Sequence, residues 1–321
     1  MVPAMACDCQ CPSRGKKPLP SSCPHRIVWA VDTLAHGLTG AVIGYCGFRQ
    51  RPDGGRVALW AGIAAAEFPD VDVALGFLGN ETLLRWHRSF THSAVLLPVW
   101  AVVVAGAFWA CSDKKRFRVL YAVSTVGIAS HLLLDLLTNY GTELLWPLTD
   151  ARFALSWVFI VDVYVWAILA TGLIASIVTQ RTTVARATLV IVSGFFLFCG
   201  TSRAQALHRA RLRAAPTARV EAFPEPMDPL DWTIIVVNGD TIHWVAAGRN
   251  DTFLQFHDDH LLPKAEATEA VKTFRWFAAV PLVEKLEENG RTVRLDREPG
   301  ASFSRHLTVG IMMWLPIEDQ L

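Results

Sequence analysis

The sequence predicts a mainly α-helical membrane protein, in which a bundle of about six transmembrane or membrane-embedded helices is followed by a small C-terminal α+β domain. Two observations support this class. Hydrophobic residues make up 52% of the 321 residues and charged residues only 18%, whereas soluble domains carry about 25% charged residues. Apolar segments also alternate with short polar loops between Val28 and Arg203. The formal net charge of +1 provides no basic surface for nucleic acid, so no such partner is expected.

Residues 1–27 form a leader that is rich in Pro, Ser, Cys, Lys and Arg. It lacks the apolar run of a signal peptide, and we expect it to be disordered or a mis-annotated start. Its four cysteines do not have one of the recurring zinc-site spacings. The later cysteines lie in or beside apolar segments, where cysteine acts as a small hydrophobic residue. No disulfide framework is therefore predicted.

The membrane-embedded domain is predicted at residues 28–203. The Ser93–Cys111 segment is the clearest span, because it carries no charged residue over almost the length of roughly 20 residues that a bilayer requires. The first two apolar segments are rich in Gly and Ala and contain acids, so we expect them to lie partly behind the others. The six segments are Val28–Phe48, Val57–Gly79, Ser93–Cys111, Phe117–Leu137, Ala154–Val178 and Val184–Gly200.

Lysine and arginine in the short loops indicate the orientation of the bundle. The loops Arg49–Arg56, Lys114–Arg118 and Gln180–Arg186 are basic, whereas the loops that hold Arg85–His92 and Tyr140–Arg152 are much less so. This asymmetry favours the extracytoplasmic side for the less basic loops. Basic residues in the leader and after the last apolar segment oppose it, so the preference is small.

The composition changes after the last apolar segment. A proline-rich linker is predicted at residues 204–229 and a small α+β domain at residues 230–321. Two apolar runs on either side of an Asn-Gly-Asp turn predict a β-hairpin. The strands are predicted at Trp232–Val237, Thr241–Val245, Arg291–Asp296 and His306–Trp314, and a helix at Lys264–Phe277.

Histidine and aspartate occur in pairs within the apolar segments. Asp32 and His36 are four residues apart, as are His131 and Asp135, so the members of each pair can lie on one face of a helix. Singly, Asp32 has an ordinary explanation as a helix cap and His36 as a hydrogen-bonded buried histidine. His131 and Asp135, however, would cost several kcal/mol if buried without partners.

Two further polar clusters lie at the edges of these segments. Asp70 and Asp72 follow the helix-breaking Pro69, and His87 and His92 lie just before the clearest span. A shared ion would satisfy these groups, and a mixed set of imidazoles and carboxylates indicates zinc, manganese or iron. Thr91 and Ser93 are expected to cap the following helix.

Five short segments, in this order, resemble the membrane-bound metal-dependent hydrolases, the YdjM/YfhP-type inner-membrane proteins. The resemblance covers about residues 30–165 and implies a bacterial inner-membrane location. The segments are Leu34–Gly40, Phe68–Asp72, His87–Ser93, His131–Asp135, and Asn139–Thr142 with Trp146–Pro147. The candidate metal ligands that the resemblance implies are His36, Asp70, Asp72, His87, His92, His131 and Asp135.

These observations lead to the hypothesis of a membrane-bound hydrolase. A divalent metal ion, zinc with manganese or iron as alternatives, would activate water toward an ester or phosphoester. We expect four residues to form the core of the site and two more to complete or bridge it. The core residues are His87, His92, His131 and Asp135, and the completing residues are His36 and Asp70.

Two residues are given other catalytic roles. Asp72 is expected to orient a ligating histidine or to act as general base, and Arg88 to hold an anionic substrate with its planar guanidinium. The position at the membrane indicates a small-molecule or lipid substrate and contact with the lipid bilayer. Two alternatives stay open: a binding or scaffold protein with a structural metal site, and a metal-ion carrier, for which no internal repeat is seen.

Overall fold

The computed structural model is mainly α-helical, in agreement with the predicted class. It describes residues 29–47, 55–112, 116–239, 241–246 and 249–254, with short pieces at 272–273, 276, 285–287 and 292–294. Seven α-helices lie in these residues, one more than expected, and two 3-10 helices, Phe68–Leu78 and Phe90–His92, flank the third. The α-helices are α1 (Trp29–Gly47), α2 (Gly55–Glu67), α3 (Asn80–Trp86), α4 (Leu97–Ala110), α5 (Phe117–Leu137), α6 (Val163–Thr179) and α7 (Thr182–Arg211).

Two of these helices, α5 and α7, are long and apolar enough to cross a membrane. Thr82–His92 and Leu97–Ala110 are bent by 81° relative to each other and would form a third span if they are counted together. Helix α6 is apolar but has only 17 residues. Within the part of the chain that the structure describes, the predicted helical bundle is therefore confirmed, and two or three of its helices are candidate membrane spans.

Proline and capping residues explain why the predicted segments are shorter as helices. The Val57–Gly79 segment changes from α-helix to 3-10 helix at Phe68, with Pro69 in the first turn of the 3-10 helix. Helix α6 begins only at Val163, because the Asp162 side chain accepts hydrogen bonds from two backbone N–H groups of its first turn. The sequence thus locates the apolar segments but overestimates the helical length of these two, whereas α5 has the predicted bounds and α7 is longer than predicted.

Small residues allow the first helices to approach closely. A Cβ atom built on Gly127 of α5 would lie 2.8 Å from Ala65 Cβ and 2.9 Å from Gly62 O, both in α2. On the other side of α2, a Cβ atom on Gly40 of α1 would lie 2.7 Å from Ala66 Cβ. Such contacts between small residues are the usual way in which membrane helices pack. They bring α2 to backbone contact with both α1 and α5, which also contact each other where His36 stacks on His131.

The region after α7 forms an antiparallel sheet with strand order β1-β2-β3-β4. Asn238 pairs with Thr241 at the β2–β3 turn, so the predicted hairpin is present. The residues predicted as a linker, 204–229, instead contain the last turns of α7 and strand β1, because Leu207 packs against Val220 and Trp232. The strands are β1 (Arg219–Glu225), β2 (Asp228–Asn238), β3 (Thr241–Ala246) and β4 (Arg249–Leu254), with a separate pair, β5 (Lys285–Glu287) and β6 (Thr292–Arg294).

Several sequence predictions lie outside the described residues. These are the leader, the side chain of Asp32, strand His306–Trp314, and most of helix Lys264–Phe277. Strand β6 falls within the predicted strand Arg291–Asp296.

The sheet lies at the end of the bundle where α5 finishes and α6 begins. The Tyr164 hydroxyl, in the first turn of α6, donates a 3.2 Å hydrogen bond to Met227 O in the β1–β2 turn. The loop between the two helices returns to α5, because Leu155 N and Trp157 N donate to the carbonyls of Leu136 and Leu137. The end of α5, the start of α6 and the sheet are therefore neighbours.

We predict that Gly127→Ala lowers the melting temperature of the detergent-solubilised protein. The added methyl group overlaps backbone and side-chain atoms of α2, and overpacking of this kind costs about 1–3 kcal/mol. Gly106→Ala in α4 is the matched control, because no neighbouring group lies within 4 Å of the added Cβ and alanine favours helix. A Gly127→Ala melting temperature equal to or above that of Gly106→Ala would contradict the close packing.

Candidate metal centre

The residues that the sequence analysis singled out come together at the C-terminal end of α5. They arrive from α1, from the two 3-10 helices, from the loop after α3, and from α5 itself. All are buried except Asp70, whose side chain is 15% exposed. The set consists of His36, Asp70, Asp72, His87, Arg88, His92, His131 and Asp135.

Four side-chain atoms of this set have the mutual distances of metal ligands. His92 Nε2 lies 3.0 Å from His131 Nε2, 3.4 Å from Asp70 Oδ1 and 3.2 Å from Asp135 Oδ2. His131 Nε2 lies 3.6 Å from Asp70 Oδ1 and 3.4 Å from Asp135 Oδ2. Ligands placed tetrahedrally at about 2.0–2.1 Å from zinc are separated by roughly 3.3 Å. Five of the six distances among the four atoms therefore have the length expected around one such ion.

Both histidines of this group are oriented by a contact at the other ring nitrogen. His131 Nδ1 lies 2.6 Å from the backbone carbonyl of Ala66, and a carbonyl can only accept, so Nδ1 carries the proton. His92 Nδ1 lies 3.2 Å from Asp72 Oδ2. With its proton on Nδ1, a neutral imidazole presents the Nε2 lone pair. Such contacts are typical of metal-ligating histidines.

Asp72 connects the segments that surround the centre. Its carboxylate lies 2.8 Å from His87 Nδ1 and accepts hydrogen bonds from Arg88 N at 3.1 Å and Thr91 Oγ1 at 2.7 Å. Burial alone would raise the pKa of Asp72, but hydrogen bonds from His87 and His92 outweigh it and hold the pKa well below its usual range. Asp72 is therefore a charged acceptor, which favours the orienting role over that of a general base.

Arg88 faces the centre in an unusual backbone conformation. Its φ of 60° lies in the left-handed region, which is costly for a residue other than glycine. The guanidinium lies 3.0 Å from Asp135 Oδ1, donates to Thr138 Oγ1 at 2.9 Å and packs over the Tyr140 ring. These contacts give Arg88 the role of positioning Asp135, in addition to the substrate contact that the sequence predicts.

His36 and His87 lie on either side of the four central atoms. The His36 ring stacks on His131 with 3.7 Å between centroids, and its Nε2 lies 3.4 Å from Asp135 Oδ1. His87 directs Nδ1 to Asp72 rather than to the central group. Ligand atoms lie within 4.8 Å of one another in three overlapping groups: His36–His131–Asp135, Asp70–His92–His131 and Asp70–Asp72–His87.

An outer layer, which the sequence analysis did not assign, holds the loop of His87 and Arg88 in place. Arg152 donates hydrogen bonds to His87 O at 3.0 Å, to Gly141 O at 3.1 Å and to Glu143 Oε1 at 3.4 Å. Glu143 and Arg152 are visible in the sequence as charged residues of a largely apolar loop. The spacing does not show, however, that Arg152 contacts the carbonyl of a residue 65 positions away.

Aromatic rings complete this layer. The Tyr140 ring lies against the guanidinium groups of Arg88 and Arg152, and burial raises the pKa of its hydroxyl to about 12. The Trp276 ring lies 4.3 Å from the Arg85 guanidinium carbon and 4.6 Å from that of Arg152. The C-terminal region therefore contacts the outer wall of the centre.

The two residues that were expected to be helix caps have different roles. Ser93 Oγ accepts hydrogen bonds from Val95 N and Leu96 N, as a cap does. Thr91 instead donates to Asp72 and lies 3.0 Å from His92 Nδ1. Thr91 is thus part of the hydrogen-bond network beneath the centre.

Comparison with known proteins agrees with this architecture. Residues 31–206, which carry every candidate residue from His36 to Arg152, match the YdjM inner membrane protein family. The Bacillus subtilis (strain 168) protein YfhP is 23% identical over 141 residues, which are 42% of this chain and 43% of that protein. The Escherichia coli (strain K12) inner membrane protein YdjM is 34% identical over 93 residues, which are 25% of this chain and 43% of that protein.

The chain thus matches less than half the length of each of these curated relatives. No solved structure is significantly similar to it. The family and the apolar helices together support an integral inner-membrane location. Because the family match extends over more than half of the chain, this protein belongs to the YdjM inner membrane protein family.

Proposed function

We propose that this protein is a membrane-bound hydrolase whose divalent metal ion, zinc in the first instance, is held by Asp70, His92, His131 and Asp135. The observation that carries the proposal is the set of five distances of 3.0–3.6 Å among the ligand atoms of these residues. Relative to the sequence prediction, Asp70 takes the place of His87 in the central group. His36 and His87 would complete a larger coordination shell or bind a second ion.

The charge of the buried cluster supports a divalent cation. Asp70, Asp72 and Asp135 bring three carboxylates together, and Arg88 is the positive side chain that faces Asp135 at 3.0 Å. With neutral imidazoles the cluster therefore carries a charge of about −2, which is costly to bury without a counter-ion. One divalent cation would neutralise it.

The hydrogen-bond network prepares the ligands before an ion arrives. Asp72 and Thr91 fix the ring of His92, the Ala66 carbonyl fixes the ring of His131, and Arg88 holds one oxygen of Asp135. Fixed ligands lose little conformational freedom on binding, which favours affinity. Nitrogen and oxygen ligands without a thiolate agree with zinc, and also with manganese or iron.

Hydrolysis adds one water across the scissile bond. The oxygen of the water bonds to the acyl carbon or the phosphorus, the bond to the alcohol oxygen breaks, and the alcohol takes up a proton. A divalent ion, when bound, lowers the pKa of water from 15.7 to about 7 and polarises the bond that is cleaved. Asp70 is the acid of the cluster with exposed side-chain surface. Its Oδ1 is the proposed ligand atom, so the second oxygen of its carboxylate is the one that would hold the entering water and accept its proton.

Four tetrahedral protein ligands would close the site, so hydrolysis requires water to take a further coordination position. Asp70 is the proposed ligand with exposed side-chain surface, and water can enter beside it. Structural sites are closed by protein ligands, whereas catalytic sites keep a position open to water or substrate. A metal-ion carrier would use the same ligands but would move the ion across the membrane. Measurements of turnover and of transport separate the three functions.

We predict that His131→Ala abolishes stoichiometric metal binding, because it removes a ligand that lies within 3.6 Å of three other ligand atoms. Elemental analysis of the detergent-purified protein measures the metal content. His208→Ala, an exposed histidine on α7, is the matched control and should keep the metal content of the wild type. Full metal content in His131→Ala would refute the proposed ligand set.

Asp72→Asn is predicted to weaken metal binding without abolishing it. An amide cannot supply the charge that Asp72 provides to His87 and His92, and loss of such an outer contact typically lowers metal affinity by about 10–100-fold. Competition with a chromophoric chelator would measure the dissociation constant. An affinity equal to that of the wild type would show that Asp72 does not orient the ligands.

Asp70→Asn is predicted to lower hydrolysis by roughly 100-fold or more per bound metal ion, since an amide cannot accept the proton. Because Asp70 is also a proposed ligand, the metal content of the variant is measured in the same sample and the rates are compared per bound ion. The probes are bis(4-nitrophenyl) phosphate and 4-nitrophenyl acetate, tested with zinc- and manganese-loaded protein and with His208→Ala as control. If the metal-loaded wild type hydrolyses neither probe faster than the free ion does, the proposed hydrolysis of esters and phosphoesters is refuted. Zinc uptake into proteoliposomes would then favour the carrier.

A further inference from the structure

The buried cluster is open on one side. The side chains of His92, His131 and Asp135 have 0% exposure, and that of Asp70 has 15%. His36, Asp72 and Arg88 are at most 2% exposed. A substrate therefore reaches the ligand atoms from the side of Asp70, and the residues next to Asp70 determine what kind of molecule can approach.

The 3-10 helix that carries Asp70 exposes apolar side chains along its length. Asp70 belongs to the 3-10 helix Phe68–Leu78, in which Val71 is 54% exposed, Phe77 87% and Leu78 73%. Apart from Asp70 and Asp72, this helix contains no charged residue. Exposed apolar groups of this size mark a membrane or ligand contact in a folded protein. We call Val71, Phe77 and Leu78 the apolar rim.

The apolar rim is continuous with the surface that faces the bilayer. Helix α2 runs directly into the 3-10 helix, and Ala65 of α2 packs in one core cluster with Ile128 of α5. Helix α5 is long and apolar enough to cross a membrane. The rim is therefore attached to a helix that packs against a candidate membrane span.

A second exposed apolar group lies on the loop that is bound to the chain just after His92. Ser93 donates a hydrogen bond to Trp146 O, and Ala94 N donates to Leu144 O. In the same loop, Leu145 is 41% exposed and Leu148 75%. The polar cluster thus has exposed apolar side chains on both the segment of Asp70 and the segment that follows His92.

We propose that the substrate is a membrane amphiphile that enters from the bilayer past Asp70, with its hydrocarbon chain along the apolar rim and its ester or phosphoester head group at the ligand atoms. This inference rests on the proposed function and adds the substrate class. A water-soluble substrate would gain nothing from Phe77 and Leu78. Phe77 follows Asp70 by seven residues, which is about 14 Å along a 3-10 helix. A long hydrocarbon chain can therefore contact the rim while the head group lies at Asp70.

The test compares two inhibitors with the same head group. The full chain, loaded with Co²⁺ and placed in nanodiscs of phosphatidylethanolamine and phosphatidylglycerol, is titrated with methylphosphonate and with dodecylphosphonate. Binding is followed by the visible absorption of Co²⁺, which changes when a ligand oxygen joins the ion. This measures binding alone, without turnover.

The decisive variant is Phe77→Ser with Leu78→Ser. We expect it to raise the Kd of dodecylphosphonate by about tenfold or more, because two apolar contacts are lost, and to leave the Kd of methylphosphonate unchanged. The matched control is Ile177→Ser with Val178→Ser. These residues are 47% and 76% exposed at the far end of α6, and their replacement should change neither Kd. This control shows whether the Kd of dodecylphosphonate changes merely because the inhibitor partitions into the lipid.

Equal effects of the rim variant on both phosphonates, or a dodecylphosphonate Kd within about twofold of the wild type, would overturn the inference while the metal centre stands. If the wild type binds no Co²⁺, or if neither phosphonate changes its spectrum, the proposed function itself fails and the inference with it. Should the double variant not bind Co²⁺, the single variant Val71→Ser, on the same rim, gives the same comparison.

Discussion

The hydrogen bond between His131 and the Ala66 carbonyl links the fold to the site. Ala66 lies in the last turn of α2, where carbonyl groups lose their partners within the helix. The residue three positions further on, which would donate in a 3-10 helix, is Pro69, and proline has no N–H. His131 Nδ1 supplies a donor at 2.6 Å. The same contact closes the end of α2 and turns His131 Nε2 toward the other ligand atoms.

This contact requires α2 and α5 to lie at backbone distance, which Gly62 and Gly127 permit. The change to 3-10 helix after α2 then places two acids of one short segment at different depths. Asp70 reaches the ligand group and keeps some exposure, whereas Asp72 is buried beneath His92 and collects hydrogen bonds from both neighbouring loops. Close packing, a helix end and the charged network are therefore consequences of one local arrangement.

The sequence is sufficient to predict the class of fold and the histidine and aspartate residues of the candidate centre. His131 and Asp135 stand out because they interrupt an apolar helix, and their spacing places them on one face. The contacts of His87 do not follow from the sequence, because which ring nitrogen faces which acid depends on the loop backbone, including the positive φ of Arg88. Helix lengths also differ from the prediction, since proline and capping residues end helices that hydropathy would continue. Arg152 was missed because its partners are distant in sequence.

The position of the sheet has a consequence for topology in the cell. Helix α5 ends at the metal centre, α6 leaves from that end, and α7 returns and continues into β1, whose turn with β2 contacts the start of α6. The sheet and the centre are therefore held in the same compartment, whichever face of the membrane that is. A single reporter fused to the sheet would therefore establish which compartment the candidate centre faces.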